Sequence, residues 1–215
     1  MKFHVNTERK KDPEIIIFAC ILAGMAVYYG CRMFTLTPWY DELYTYYYFI
    51  SRGPVYAAIH WPVPNNHVGY SVLSAFLDFF GNPYIGLRGV SYLCALINMV
   101  LLLLLGRRYF KEGISLAVVS GYCLLNLVNQ LSVQGRGYTL SVTCFLTAVS
   151  MLDVICREER VRKKTYVFFA LSLVLGLYTV PSDVYWVIPV CLSGGIYLLL
   201  QAFAEKRSRQ GKLIE

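Results

Sequence analysis

Two adjacent carboxylates, Asp41 and Glu42, follow closely after the first membrane-length apolar run of the chain. An acidic pair beside a membrane is costly unless it has a role, and a carboxylate held there can act as a general base on a substrate that is partly lipid. The same pair can also cap a helix, because acidic residues stabilise a helix N-terminus. Tyrosines of the kind found at the headgroup level of bilayers follow at once: Tyr44, Tyr46, Tyr47 and Tyr48.

Three basic residues further along the chain are candidates for binding a phosphate: His67, Arg88 and Arg136. A carboxylate base together with paired guanidinium groups suits the transfer of a group away from a phosphate. Each of the three also has an ordinary structural interpretation, because His67 can cap a helix and arginines anchor spans at the headgroups. A catalytic or binding role is favoured if these residues lie together on one face of the membrane. Whether they do so depends on the topology of the chain.

The composition identifies a polytopic membrane protein and excludes a soluble domain. Of the 215 residues, 57% are apolar and only 15% are charged, and the mean hydropathy is +0.49. The seven cysteines stand singly within or beside apolar segments, without a CxxC or Cys/His spacing. This pattern supports neither a zinc site nor a disulfide framework, and we expect no metal and no cofactor.

Six apolar runs are long enough, or nearly so, to cross a bilayer, which takes about 20 residues. A seventh run, residues 67–81, carries polar residues at spacings of four, three and four, which places them on one helical face. That pattern predicts a helix lying in the interface and not a further span. The six predicted spans cover approximately residues 14–34, 87–106, 113–131, 138–156, 165–181 and 184–203.

The distribution of basic residues supports the six-span topology. With six spans, 16 of the 20 Lys and Arg residues fall on one side, which the positive-inside rule makes cytoplasmic. The net charge of +7 is then explained by stop-transfer and headgroup contacts, and no nucleic-acid partner is predicted. The predicted parts are a cytoplasmic N-terminus (1–13), a membrane module (14–203) with a long extracytoplasmic loop (35–86), and a basic cytoplasmic tail (204–215).

Five short stretches occur in order along the chain: Asp41-Glu42, Asn66-His67-Val68-Gly69-Tyr70, Leu87-Arg88-Gly89-Val90-Ser91, Gly106-Arg107-Arg108-Tyr109-Phe110 and Arg136-Gly137-Tyr138. Taken together, they resemble the membrane glycosyltransferases of the GT-C fold. The resemblance is to the branch of protein O-mannosyltransferases and lipid A aminoarabinose transferases, and it covers roughly residues 14–156. It implies an all-α module with amphipathic helices in the first outer loop, in agreement with the span count.

The resemblance implies an inverting transfer of a sugar from a polyprenyl-phosphate-linked donor to an acceptor on the extracytoplasmic face. Asp41 would be the general base, and Glu42 would orient Asp41 or the acceptor. Two arginines, Arg88 and Arg136, would neutralise the departing lipid phosphate, while His67 would donate a hydrogen bond to the phosphate or the sugar. Two further residues of the matching stretches are expected to line the site: Asn66 and Tyr138.

Two departures from the family pattern keep other functions open. The second outer loop reads Gln134-Gly135-Arg136-Gly137, where many relatives carry a second acid, so a metal bridging two loop acids is not expected. Full members of the family are longer, so a second membrane subunit could supply the remainder.

The alternative function is that of a non-catalytic lipid-phosphate-binding subunit or a truncated paralogue of such an enzyme. A transporter is disfavoured because few ionisable groups lie at mid-membrane. In a bacterium the expected location is the plasma membrane.

Overall fold

The computed structural model describes residues 13–60, 66–111, 113–158 and 160–211. Over these residues the chain is helical throughout and contains no strand, which confirms the all-α prediction. Most of the predicted cytoplasmic N-terminus and the last four residues of the predicted tail lie outside the described residues. The α-helices are α1 (Pro13–Thr35), α2 (Tyr40–Tyr48), α3 (Pro54–Ile59), α4 (Val68–Asp78), α5 (Pro83–Tyr109), α6 (Ile114–Leu124), α7 (Asn126–Leu131), α8 (Tyr138–Arg157), α9 (Lys163–Thr179) and α10 (Val184–Gly211).

Four segments are long and apolar enough to cross a membrane: α1, α5, α8 and residues 181–204, which include most of α10. The protein is therefore an integral membrane protein. Among the four, α5 is the central helix, because half of its most apolar window is buried and it packs against α1, α4, α6 and α8. The corresponding window of residues 181–204 is only 6% buried. The bundle is thus built around α5, with α10 at its margin.

The other two predicted spans have a different form in the structure. The third is divided into α6 and α7 at Leu125, whose backbone is extended. The Asn129 side chain donates a hydrogen bond to the Cys123 carbonyl oxygen at 3.0 Å, which compensates a carbonyl group at the break. The fifth is α9, whose 17 residues measure about 25 Å. The count of six spans therefore stays a prediction.

The described residues between α1 and α5, 36–60 and 66–82, form a cap of short helices that we call the loop end of the bundle. The predicted interfacial helix is present as α4, but its polar face is directed into the protein. Ser71 and Ser74 are completely buried, whereas Phe76 and Phe79 are exposed. An apolar surface on the outer side suits contact with lipid, and the inward polar face is available to bind other loop residues.

The start of α5 is earlier than predicted and brings a basic residue into the core of the loop end. Asn82 caps the helix, since its side-chain oxygen accepts hydrogen bonds from the Tyr84 and Ile85 backbone N–H groups. Pro83 follows at the first helical position, where its fixed φ angle is favourable. Arg88 therefore lies in the second turn of α5 and not at the mouth of the span.

Candidate functional site

A buried ion pair between Glu42 and Arg88 is the centre of the loop end. Arg88 Nε lies 2.7 Å from Glu42 Oε1, and Arg88 Nη2 lies 3.0 Å from Glu42 Oε2. This is the bidentate arrangement in which guanidinium and carboxylate groups bind most strongly. The two side chains are 2% and 1% exposed, respectively. Because α2 carries Glu42 and α5 carries Arg88, the pair fixes the first turn of α2 against the central helix.

Both partners of this pair make additional hydrogen bonds that satisfy their remaining groups. Arg88 Nη1 donates to the Met33 and Leu36 carbonyl oxygens, at 3.0 and 2.8 Å, at the C-terminal end of α1. Glu42 Oε2 accepts from the Trp39 backbone N–H at 2.9 Å, which satisfies a backbone donor at the N-terminus of α2. The capping role considered for the acidic pair is therefore present at Glu42, in addition to its ion pair.

The loop between α7 and α8 packs closely against the same pair. The Gly135 backbone N–H donates to Glu42 Oε1 at 2.6 Å. A Cβ atom at Gly135 would lie 2.5 Å from Leu87 Cδ1 and 3.1 Å from Glu42 Oε1, so any larger residue would push the loop away. The absence of a side chain at this position lets the backbone reach the carboxylate directly.

Arg136 and His67 form a second buried group that we call the basic centre. Arg136 Nη1 donates to Thr45 Oγ1 at 3.2 Å, and Arg136 Nη2 lies 3.0 Å from His67 Nε2. Both side chains are buried. Thr45 lies three residues after Glu42 on α2, so the basic centre and the ion pair are neighbours on the same short helix.

The hydrogen bonds of His67 leave two donors facing each other. Nδ1 accepts from the Gly137 backbone N–H at 2.9 Å, so in the neutral ring the proton is assigned to Nε2. That N–H faces the Arg136 Nη2 group, which is also a donor. Burial, with a smaller contribution from the Arg136 charge, lowers the pKa of His67 to about 4. A negatively charged oxygen could accept a hydrogen bond from the His67 N–H group and would be stabilised by the Arg136 charge.

Asp41 lies at the surface of this network. Its side chain is exposed, and its backbone carbonyl oxygen accepts a hydrogen bond from Thr45 Oγ1 at 2.8 Å. Asp41 and Thr45 share one face of α2 because they are four residues apart. Among the described residues, the Asp41 carboxylate has no hydrogen-bond or ion-pair partner. An exposed carboxylate thus lies one helical turn from the threonine that binds Arg136.

Asn66 and Tyr138 flank His67 in different ways. The Asn66 side chain binds within the loop end, because Nδ2 donates to the Ala57 carbonyl oxygen at 3.3 Å and Oδ1 accepts from Ser71 Oγ at 2.8 Å. The Tyr138 ring is exposed and packs edge-on against the His67 ring, with 4.9 Å between the ring centroids. Asn66 therefore joins α3 to α4, while Tyr138 is the aromatic residue of this group that a substrate can reach.

A pocket of about 350 Å³ borders the Glu42–Arg88 pair, and we call it the α1–α7 pocket. Its walls include Arg32 from the last turn of α1, Trp39 from the start of α2, and Gln130 from α7. Sequence reasoning did not select Arg32, because an arginine at the end of a span is ordinarily a headgroup anchor. Only the three-dimensional packing shows that its side chain lines a pocket beside the ion pair.

A second charged cluster lies at the other end of α5. Asp153 of α8 pairs with Arg108 and with Arg157, and its carboxylate also accepts a hydrogen bond from Tyr109 Oη at 2.6 Å. The nearby Glu14 pairs with Arg107 at 3.5 Å. These contacts place the N-terminal end of α1 and the C-terminal ends of α5 and α8 at the same level. Among the described residues, no group of three potential metal ligands occurs at either end.

Comparison with known families identifies the chain. The family model of the dolichyl-phosphate-mannose-protein mannosyltransferases matches residues 67–213, which is more than half of the chain. The matched range contains His67, Arg88 and Arg136, whereas the Asp41-Glu42 pair precedes it. Comparison with curated proteins and with solved structures gives no match. The family match confirms the resemblance seen in the sequence motifs, and the chain belongs to the dolichyl-phosphate-mannose-protein mannosyltransferase family of GT-C membrane glycosyltransferases.

Proposed function

We propose that the protein transfers a sugar from a polyprenyl-phosphate-linked donor to an acceptor hydroxyl on the extracytoplasmic face, with inversion at the anomeric carbon. One observation carries the proposal: in a chain of this glycosyltransferase family, the exposed carboxylate of Asp41 lies one helical turn from the residue that binds the buried basic centre. A base and a cationic group close together are what a displacement at a sugar phosphate requires.

In this mechanism Asp41 is the general base. Its carboxylate takes the proton of the acceptor hydroxyl while the acceptor oxygen forms a bond to the anomeric carbon. The bond from that carbon to the phosphate oxygen breaks on the opposite face, and the electron pair leaves with the lipid phosphate. Attack opposite the leaving group inverts the configuration, as it does when water attacks in inverting glycosidases.

The basic centre stabilises the charge that develops on the departing phosphate. Arg136 contributes a fixed positive charge, and the assigned N–H of neutral His67 contributes a hydrogen-bond donor. Both groups are buried, so they interact with a negative oxygen more strongly than the same groups would in water. The fixed position of both donors also avoids reorganisation during the reaction. Tyr138, exposed beside His67, is available to contact the sugar.

The contacts of Arg88 favour a positioning role over direct contact with the phosphate. Its Nε, Nη1 and Nη2 atoms all donate to Glu42 or to backbone carbonyl oxygens of the α1 end. The pair therefore holds the first turn of α2, which carries Asp41, against α5. Glu42 is likewise a positioning residue in this mechanism, because its two oxygens are engaged by Arg88 and by backbone N–H groups.

The proposal is tested by replacing Asp41 with Asn. We expect the release of polyprenyl phosphate from polyprenyl-phosphate mannose, measured in membranes containing the full chain, to fall by about 10²- to 10⁴-fold, the usual contribution of a general base. The control is Asp78→Asn, which removes another loop-end carboxylate but keeps an acceptor for the hydrogen bond from Tyr46. Unchanged turnover in Asp41→Asn, with wild-type thermal stability, would contradict the proposed mechanism.

The same experiment separates the enzyme from a non-catalytic lipid-phosphate-binding subunit. Such a subunit shows no turnover in the wild-type protein, and Asp41→Asn then leaves lipid binding unchanged. If turnover requires another chain, that chain is expected to copurify with the wild-type protein in mild detergent. We therefore propose to assay the material extracted from its own membranes first, and the separated protein second.

A further inference from the structure

We propose that Arg32 recognises the phosphate of the isoprenoid lipid, in the α1–α7 pocket beside the Glu42–Arg88 pair. This inference rests on the proposed function and adds a binding residue that neither the sequence motifs nor the family match supplies. The ligand of the pocket is then a phosphate attached to a long apolar chain.

The charge of the pocket favours an anion. Glu42 and Arg88 line the pocket but neutralise each other within their bidentate pair. Arg32 is the remaining charged residue of the lining, so the pocket carries one net positive charge.

The hydrogen bonds of Arg32 leave donor capacity for a ligand. Its Nη1 atom donates to Tyr28 Oη at 2.6 Å, which holds the guanidinium group along the last turn of α1. Its Nε atom is buried and has no hydrogen-bond partner among the described residues. A buried donor without a partner is unfavourable, and a phosphate oxygen satisfies it with a charge-assisted hydrogen bond. By contrast, Arg88 uses all three of its nitrogens within the protein.

The rest of the lining fits a phosphate on an apolar chain. The side chains of Gln130 and Gln134 line the pocket and provide amide N–H donors for further phosphate oxygens. Apolar side chains complete the wall, including Leu36 and Leu127. The pocket lies at the C-terminal end of α1, a candidate membrane span, which is the depth at which a lipid phosphate resides. The pocket and the basic centre border the same part of α2, because Glu42 lines the pocket and Thr45, three residues later, binds Arg136.

The test measures equilibrium binding of farnesyl phosphate to the full chain in detergent micelles. We expect Arg32→Gln to weaken binding about ten- to a hundredfold, the loss that corresponds to one charged hydrogen bond. Arg32→Lys retains the charge and is expected to recover part of the affinity. Arg52→Gln, which removes an exposed arginine elsewhere in the loop end, is expected to leave binding unchanged. Farnesol, which lacks the phosphate, should bind equally to wild-type protein and to Arg32→Gln.

Each contrary result has a distinct meaning. Equal binding of farnesyl phosphate by wild-type protein and Arg32→Gln would overturn the inference and leave the proposed function intact. Competition by phosphatidylglycerol as effective as that by farnesyl phosphate would show a general headgroup site and would overturn the isoprenoid assignment. Failure of the wild-type protein to bind any isoprenoid phosphate would contradict the proposed function itself. If Arg32→Gln does not fold, Gln130→Leu tests the same pocket from α7, with an expected loss of about fivefold.

Discussion

The two charged clusters at the ends of α5 contain the same chemical groups but differ in burial. At the loop end, Glu42 and Arg88 are almost completely buried and bind each other through two parallel hydrogen bonds. At the other end, Asp153 is buried but its partners are not, since the side chains of Arg108 and Arg157 are 35% and 53% exposed. Water therefore competes for the second cluster and is excluded from the first.

This difference shows which cluster determines geometry. An exposed ion pair contributes little to stability, because solvent screens it and its long side chains remain mobile. A buried pair tolerates no loss of a partner, because the remaining charge is left unsatisfied in a medium of low dielectric constant. The loop end is thus the rigid part, and it is where the candidate catalytic residues lie. The cluster at Asp153 mainly holds helix ends together.

The largest effect is expected from a substitution that breaks the buried pair. Arg88→Met leaves the buried Glu42 carboxylate without its cation, and the carbonyl oxygens at the end of α1 lose their donor. We expect a loss of about 3–5 kcal/mol in the free energy of unfolding, measured by denaturant titration in mild detergent. Arg108→Met, the equivalent change in the exposed cluster, is the matched control. Equal losses for the two variants would remove the distinction between the ends.

A pH titration of the basic centre is expected to give the next largest effect. The pKa of His67 is about 4 in the folded protein and about 6.5 when unfolded, so the unfolded state binds the proton more tightly. The stability contributed by neutral His67 is complete above pH 6.5 and declines as the pH falls toward 4, by about 3 kcal/mol in total. Thermal unfolding of the wild-type protein and of His67→Gln across this range would detect it, because the variant should lose this part of the pH dependence.

His60→Gln provides the control for that titration. His60 is exposed in the loop end, near the C-terminus of α3, so its replacement is expected to leave the pH profile of unfolding unchanged. An undiminished dependence on pH in His67→Gln would show that a different group is responsible.

The smallest expected effect comes from the exposed arginine of the second cluster. Arg157→Gln removes one of the two basic partners of Asp153 and leaves the other in place. We expect only a small fall in the free energy of unfolding, because solvent screens an exposed ion pair. A loss comparable to that of Arg88→Met would show that the second cluster is as rigid as the first.

The sequence predicts the long helices well, because apolar length is a local property. The first predicted span agrees with α1 within one residue at each end, and the predicted interfacial segment contains α4. The division of the third span at Leu125 could not be predicted in the same way. The supporting hydrogen bond from Asn129 to the Cys123 carbonyl forms only once the chain has turned there.

The candidate site was predictable in its residue types but not in its pairing. Both Glu42 and Arg88 were selected from their chemistry, yet they are 46 residues apart and their mutual contact depends on how α2 packs on α5. Arg88 was therefore expected to neutralise the lipid phosphate and Glu42 to orient Asp41 or the acceptor, whereas the structure shows the two side chains bound to each other. Arg32 was missed for the opposite reason, because nothing in its local sequence distinguishes a pocket residue from a headgroup anchor.

The length of α5 between its two charged ends has a consequence for the surrounding bilayer. Arg88 and Arg108 are 20 residues apart on one continuous helix, which corresponds to about 30 Å, the thickness of a typical hydrocarbon core. The distance between the two charged clusters on the central helix therefore matches the thickness of the hydrocarbon core. Bilayers thinner or thicker than this distance would force α5 to tilt or would draw lipid toward one cluster. Membrane thickness is thereby coupled to the geometry of the loop end.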